Sequence, residues 1–158
     1  MFSLTAPLAL LIISAALGVH AETHTITFTN NCGYGTPTLV QNGNILSTGG
    51  PYTSNGPFES AIAYLQTGNC GLNGEECTMV ETTLVNPTTP GSGSATDVTL
   101  IPPHVFSVTS GFGYYNGCDG TGYDCTSASC SGAFTDPTNG LIVSCEADNV
   151  DLAITFCD

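Results

Sequence analysis

Apolar and polar residues alternate along much of this chain. Residues 25–29 read TITFT, and residues 150–156 near the other end read VDLAITF. Because successive side chains of a strand point to opposite faces of a sheet, both segments are predicted to be strands with one buried face. No segment after residue 21 shows the sustained apolar stripe of an amphipathic helix. The pattern therefore predicts an all-β fold.

Short, turn-rich connections separate the predicted strands. Residues 38–41 and 44–47 flank Asn42-Gly43, a pair that tolerates positive φ and favours a tight hairpin. Further short strands are predicted at residues 61–66, 79–85, 96–101, 105–109 and 141–144. Residues 86–95, reading NPTTPGSGSA, are predicted to be an exposed flexible loop whose composition would permit O-glycosylation. Short strands separated by Gly and Pro favour an antiparallel sandwich or barrel.

The first residues have the features of an export signal. An apolar stretch at residues 8–17 is followed by Val19-His20-Ala21, a small-x-small cleavage sequence. The stretch is shorter than the roughly 20 residues of a membrane span, which disfavours a retained anchor. The absence of Lys and Arg before it departs from the usual signal. We expect residues 1–21 to be a signal peptide and residues 22–158 to form one secreted domain, located outside the cell or in the cell wall.

Eight cysteines follow the leader, from Cys32 to Cys157. An even number in a short exported chain predicts up to four disulfides formed in an oxidising compartment, while their pairing stays open. Structural zinc is the disfavoured alternative, because no Cys-x-x-Cys pair is present and His24 and His104 lie far apart in sequence. No metal or other cofactor is expected.

The charge balance is one-sided. The chain contains thirteen Asp and Glu residues and no Lys or Arg, which gives a formal net charge of -13. Proteins bind nucleic acids and anionic membranes through cations, so neither is expected as a partner. A neutral polysaccharide is unaffected by this argument. No serine lies in a credible nucleophile motif, so carboxylates remain as the catalytic candidates.

Several short segments resemble one protein family in their order and spacing. They are residues 29–32 (TNNC), 67–71 (TGNCG), 79–84 (MVETTL), 96–100 (TDVTL), 133–138 (AFTDPT), 143–145 (VSC) and 154–157 (ITFC). Together they are similar to the thaumatin-like proteins over nearly all of residues 22–158. Between Cys130 and Ala133 there is no room for the disulfide-rich second domain of full-length plant members. The chain therefore resembles the trimmed variants of fungi.

The resemblance implies a flattened, disulfide-stapled antiparallel β-sandwich. It implies four pairs: Cys32 with Cys157, Cys70 with Cys77, Cys118 with Cys145, and Cys125 with Cys130. It also implies an acidic cleft, which in some family members binds β-1,3-glucan and in some hydrolyses it. The first and last strands would then be joined close to the two ends of the domain.

The positions that match the family's acidic cleft are Glu81, Asp97 and Asp136. The family's cleft arginine has no counterpart here, and Pro102 stands where a second aspartate would follow the Asp97 strand. Glycoside hydrolysis needs one protonated and one ionised carboxyl group, about 5 to 9.5 Å apart. Neighbouring negative charges raise one another's pKa, which could provide the acid. The alternative interpretation is that these are solvated turn and strand-edge residues.

Tyrosines near Phe112 are candidates for contacts with sugar rings. Tyr114, Tyr115 and Tyr123 could line one wall of a glucan groove, while aromatic packing over a disulfide is the alternative for some of them. The leading hypothesis is a secreted monomer that binds cell-wall β-glucan through the three acids and these tyrosines. An endo-β-1,3-glucanase with two of the acids as its catalytic pair, and a defence or surface protein without a carbohydrate site, are the alternatives.

Overall fold

The computed structural model describes residues 21–158, which contain eleven strands and no helix. The strands are β1 (Thr23–Asn30), β2 (Thr36–Gln41), β3 (Asn44–Ser47), β4 (Tyr52–Asn55), β5 (Phe58–Gln66), β6 (Met79–Leu84), β7 (Ser94–Thr99), β8 (Ser110–Tyr115), β9 (Gly122–Cys125), β10 (Val143–Cys145) and β11 (Asp151–Phe156). Within these residues there is accordingly no helix that could cross a membrane. The proposed leader, apart from Ala21, lies outside the described residues.

The strands form two sheets that pack face to face. One sheet has five strands in the order β4-β1-β11-β8-β9, and the other has six in the order β10-β7-β6-β5-β2-β3. This confirms the predicted all-β, sandwich-like architecture. Every neighbouring pair is antiparallel except β1 and β11, which run parallel. The alternation of apolar and polar residues predicts which face of the sheet a residue occupies, but not the direction of the neighbouring strand. The parallel pairing of β1 and β11 could therefore not be predicted from it.

The core lies between the inner faces of the two sheets. Ile26, Leu152 and Ile154 of the five-stranded sheet are buried, and so are Val80 and Val98 of the six-stranded sheet, all within one apolar cluster. Burying an aliphatic side chain of this size stabilises the fold by about 1.5 to 3 kcal/mol. The predicted hairpin is present between β2 and β3, where Asn42 and Gly43 have φ values of 52° and 73°.

Four disulfides link all eight cysteines. They join the same pairs that the family resemblance implies: Cys32–Cys157, Cys70–Cys77, Cys118–Cys145 and Cys125–Cys130. No cysteine is free to bind zinc, and the bridges indicate an oxidising, extracellular type of environment. The first of them connects the ends of β1 and β11 across 125 residues of sequence.

The strand predicted at residues 105–109 is wrong. Val105, Val108 and Thr109 favour a strand by propensity, but this segment pairs with no strand. The backbone of this segment forms hydrogen bonds with the Thr78 side chain instead. Thr78 Oγ1 accepts from Ser107 N at 2.9 Å and donates to Val108 O at 3.0 Å. The actual strand, β8, begins at Ser110. The four-residue strands β4 and β9 were not predicted from the alternation either.

The loop predicted at residues 86–95 is shorter than expected, because Ser94 and Ala95 already belong to β7. It is also anchored. Glu146 accepts hydrogen bonds from Gly91 N and Gly93 N, each at 3.1 Å, and so holds the loop against the turn that follows β10.

A hydrogen-bonded cluster fixes the start of β1, and we call it the N-terminal clasp. His24 is completely buried, with Nδ1 2.6 Å from Val150 O and Nε2 3.0 Å from Glu22 Oε1. Glu22 Oε1 also accepts from Asn86 N at 2.7 Å, and Thr23 N donates to Asn149 Oδ1 at 3.0 Å. The clasp ties the first strand to two loops that are distant in sequence.

Candidate functional site

Glu81 and Asp97 lie directly opposite each other on β6 and β7. Their neighbours Val80, Thr82 and Val98 point inward and are buried, so the pleat directs both acids to the outer face of the six-stranded sheet. Directly opposed residues of an antiparallel pair have Cβ atoms about 4.5 to 5.5 Å apart. The two carboxyl groups are therefore held side by side by the strands themselves.

The two carboxyl groups are electrostatically coupled. Burial raises the pKa of Asp97 to about 7, and the negative charge of Glu81 and a hydrogen bond between the two carboxyl groups act in the same direction. Asp97 is thus protonated in acidic solution and donates to Glu81. Its Oδ1 atom is buried. Apart from Glu81, no residue among 21–158 forms a hydrogen bond with this oxygen.

The carboxyl pair opens into a depression of about 300 Å³. Ser60 and Ile62 of β5 and Ile142, which precedes β10, lie on its border. Ser60 adopts a left-handed backbone conformation (φ 54°) where the β5–β6 register shifts, and its N–H donates to Thr83 Oγ1 at 3.0 Å. Such bulges occur frequently beside binding sites, because they redirect the strand and break regular pairing.

Two further depressions continue from the first, and we call the three together the outer groove. Glu81 also borders the second, about 220 Å³, together with Met79, Pro102 and His104. Met79 and His104 also border the third, about 360 Å³, which returns to Ser60 and Ile62 of the first. The shared side chains place the three depressions next to one another on the outer face of the sheet.

A polar network inside the core supports the strands beneath the acids. Thr82 and Thr96 face inward from β6 and β7 and their hydroxyls are 2.7 Å apart. The hydroxyl of Tyr114, from the opposite sheet, lies 2.9 Å from both Thr96 Oγ1 and Val143 O. Burial raises the pKa of Tyr114 to about 12, so this group stays a neutral hydroxyl. The network fixes the relative position of β7, β10 and β8.

Asp136 does not border the outer groove. It is exposed, in the loop that follows Phe134, whose backbone pairs with Val98 and Leu100 of the β7 segment. Its carboxylate accepts hydrogen bonds from Thr138 N at 2.7 Å, from the Thr138 hydroxyl and from Asn139 Nδ2 at 2.8 Å. The hydrogen bonds from Thr138 lower the pKa of Asp136. The group acts locally as the cap of a tight turn.

The structure does not bring the three candidate tyrosines to the acids. Tyr114 is buried between the sheets, as the aromatic-packing alternative describes. Tyr123 packs against the core from β9, and its hydroxyl accepts from Gly132 N at 2.8 Å. All three tyrosines border a different depression, of about 600 Å³, which lies on the five-stranded sheet beside Ala153 and Asp124. The outer groove is therefore not lined by any of the three tyrosines.

Sequence reasoning missed His104, Ser60 and Ile62 as groove residues. Ile62 follows the strand alternation, with Ala61 and Ala63 pointing into the core, so its outward position could have been found. His104 lies in an irregular segment after Pro103, and no local pattern relates it to Glu81. Only the tertiary fold places the two on the same depression.

Comparison of the chain with protein-family models finds no match, and comparison with curated proteins finds none either. The candidate site is therefore defined by the groove geometry, the coupled carboxyl pair and the absence of cationic side chains other than histidine.

Proposed function

We propose that this protein is a secreted, short thaumatin-like protein that binds a neutral β-glucan, of the β-1,3-linked class, in the outer groove. The order and pairing of the cysteines and the all-β sandwich support the family assignment. The observation that carries the function is the pair of Glu81 and Asp97, which lie opposite each other on β6 and β7 and face an open groove without a cationic partner. The carboxyl oxygens that face the groove can accept hydrogen bonds from ligand hydroxyls.

The charge of the groove favours a neutral ligand rich in hydroxyl groups. Glu81 and Asp97 repel anions, and the chain has no Lys or Arg to neutralise a phosphate or sulfate. Sugar hydroxyls donate to carboxylates and also accept from a protonated carboxyl group. In acidic solution Asp97 donates its proton to Glu81, and the other carboxyl oxygens accept from sugar hydroxyls. A polysaccharide thus matches the site whichever oxygen carries the proton.

Binding fits the geometry better than hydrolysis does. A hydrogen bond between two carboxyl groups holds their oxygens about 3 Å apart. A glycosidase instead keeps its two carboxyl groups about 5 to 9.5 Å apart, with the scissile bond or a water between them. Asp136 offers no substitute acid, because the hydrogen bonds from Thr138 and Asn139 favour its ionised form. The pair therefore functions as one hydrogen-bonding unit.

Sedimentation with insoluble β-1,3-glucan tests this proposal. The wild type should sediment with the polymer, and the double variant Glu81→Gln, Asp97→Asn should remain in solution. Asp124 and Asp148 are exposed acids outside the groove, so Asp124→Asn, Asp148→Asn removes the same charge as a matched control. A wild type that stays in the supernatant contradicts the proposal. Release of reducing sugar that the double variant abolishes would favour the glucanase alternative.

A further inference from the structure

His104 forms part of the groove wall at a distance along the chain from both acids. It borders the second depression together with Glu81 and the third together with Asn73 and Met79. It is the one histidine among residues 21–158 that faces the groove, since His24 is buried in the N-terminal clasp. Apart from it, the groove has no side chain that can become a cation.

The position of the His104 ring is fixed by its own hydrogen bonds. Nδ1 lies 2.9 Å from Gly74 O, and because a carbonyl oxygen only accepts, Nδ1 carries the proton. The backbone is held as well: His104 N donates to Ile101 O at 2.9 Å, and Glu76 N donates to Pro103 O at 2.9 Å. The ring is therefore oriented before any ligand arrives.

The second ring nitrogen is left available. No group among residues 21–158 forms a hydrogen bond with His104 Nε2. In the neutral ring this atom accepts a hydrogen bond, and in the charged ring it donates one. A hydroxyl group is the ligand chemistry that can serve in both states, because it donates and accepts equally well.

We propose that His104 is a ligand-contacting residue of the outer groove, whose Nε2 binds a hydroxyl of a linear neutral oligosaccharide while Glu81 binds another. This inference rests on the proposed function and extends it by naming a second contact. It requires a ligand that reaches from the carboxyl pair into the adjoining depression, so an oligosaccharide should bind more tightly than a monosaccharide.

Two matched variants separate the ligand contact from the structural role. In His104→Asn the amide nitrogen can replace Nδ1 and keep the bond to Gly74 O, while Nε2 is lost. In His104→Gln a polar group reaches the Nε2 position, while the Nδ1 donor is lost. Calorimetric titration with a β-1,3-linked glucose hexamer should show about tenfold weaker binding for His104→Asn, the equivalent of one hydrogen bond. His104→Gln should bind more tightly than His104→Asn but melt at a lower temperature than the wild type.

Nitrogen NMR of the wild type gives a readout that does not depend on how the variants fold. Adding the hexamer should shift the Nε2 resonance of His104 and leave its Nδ1 and both nitrogens of His24 in place. Hexamer binding by the wild type with an unmoved Nε2 resonance, or with equal affinity for a folded His104→Asn variant, would overturn the inference and leave the proposed function standing. A wild type that does not bind the hexamer would remove both.

Discussion

The outer groove and the N-terminal clasp each contain a partly buried carboxyl group, but the groups that surround it differ. In the clasp, Glu22 accepts hydrogen bonds from His24 and from Asn86 N. In the groove, Asp97 has an acidic neighbour and one oxygen with no partner among the described residues. The clasp is electrostatically complete and serves the fold. The carboxyl pair of the groove has no cationic partner, and this difference distinguishes a structural carboxyl group from a candidate binding group.

The pKa values of Glu22 and Asp97 are shifted in opposite directions. Burial alone would raise the pKa of Glu22, but its hydrogen bonds with His24 and Asn86 outweigh this effect and lower it. Burial and the charge of Glu81 both raise the pKa of Asp97. The two regions therefore contribute to stability with opposite dependence on pH.

The largest expected effect comes from breaking the clasp. His24→Ala should lower the free energy of unfolding by about 2 to 4 kcal/mol, because it leaves Glu22 and Val150 O without a donor and opens a cavity. Urea denaturation at neutral pH measures this. His104→Ala, which removes a half-buried histidine, should cost clearly less. Equal losses for the two variants would contradict the structural role assigned to the clasp.

The second effect is the pH dependence caused by Asp97. In the unfolded chain Asp97 loses its proton near pH 3.8, and in the folded protein near pH 7. Between these values the folded state holds a proton that the unfolded state lacks, so raising the pH destabilises the protein. The difference between 3.8 and about 7 corresponds to roughly 4 kcal/mol, and solvent screening of the partly exposed pair reduces the expected loss to about 2 kcal/mol. Asp97→Asn should remove this loss and be more stable than the wild type at pH 8 but not at pH 4.

Thermal melting from pH 4 to pH 8 checks the Asp97 prediction. The matched control is Asp124→Asn, which removes an exposed carboxylate from the other sheet and should follow the wild-type profile. If the melting temperature of Asp97→Asn also changes with pH as that of the wild type does, the carboxyl pair does not share a proton in the way described.

Much of the fold was accessible from the sequence, whereas the groove was not. Alternation located β1 and β11, and Asn42-Gly43 located the hairpin, because both signals are local. The strand placed at residues 105–109 failed because its hydrogen-bond partner, the side chain of Thr78, is distant in sequence. The resemblance supplied Glu81 and Asp97. His104 comes close to Glu81 because its loop is held by the loop that contains Gly74 and Glu76. The alternation of apolar and polar residues does not predict the positions of these loops.

A smaller effect, with the opposite sign to that of Asp97, is expected at Glu22. Its lowered pKa stabilises the fold above the unfolded value of 4.5, and this contribution disappears as the pH falls through the folded pKa. Because its side chain is 21% exposed, solvent screens the interaction, and Glu22→Gln should cost about 1 kcal/mol at pH 7. The difference from the wild type should disappear near the acid end of a melting series. A loss that persists there would show that charge is not its origin.

The smallest effect should come from the tyrosine on the other sheet. Tyr115 lies on the five-stranded sheet, away from the acids, so Tyr115→Ala should change the affinity for the glucose hexamer by less than about twofold. The same titration measures it. A large loss would move the binding surface to the opposite side of the sandwich and restore the tyrosine wall inferred from the sequence.

The bridge between Cys32 and Cys157 makes residues 32–157 a closed ring, which begins just after β1 and contains β11. A force applied at these two cysteines would run through one covalent bond and leave the strands between them unloaded. A protease that cuts any single connection between the two cysteines would linearise the ring without releasing a fragment. The molecule is therefore built to stay in one piece when it is pulled or nicked.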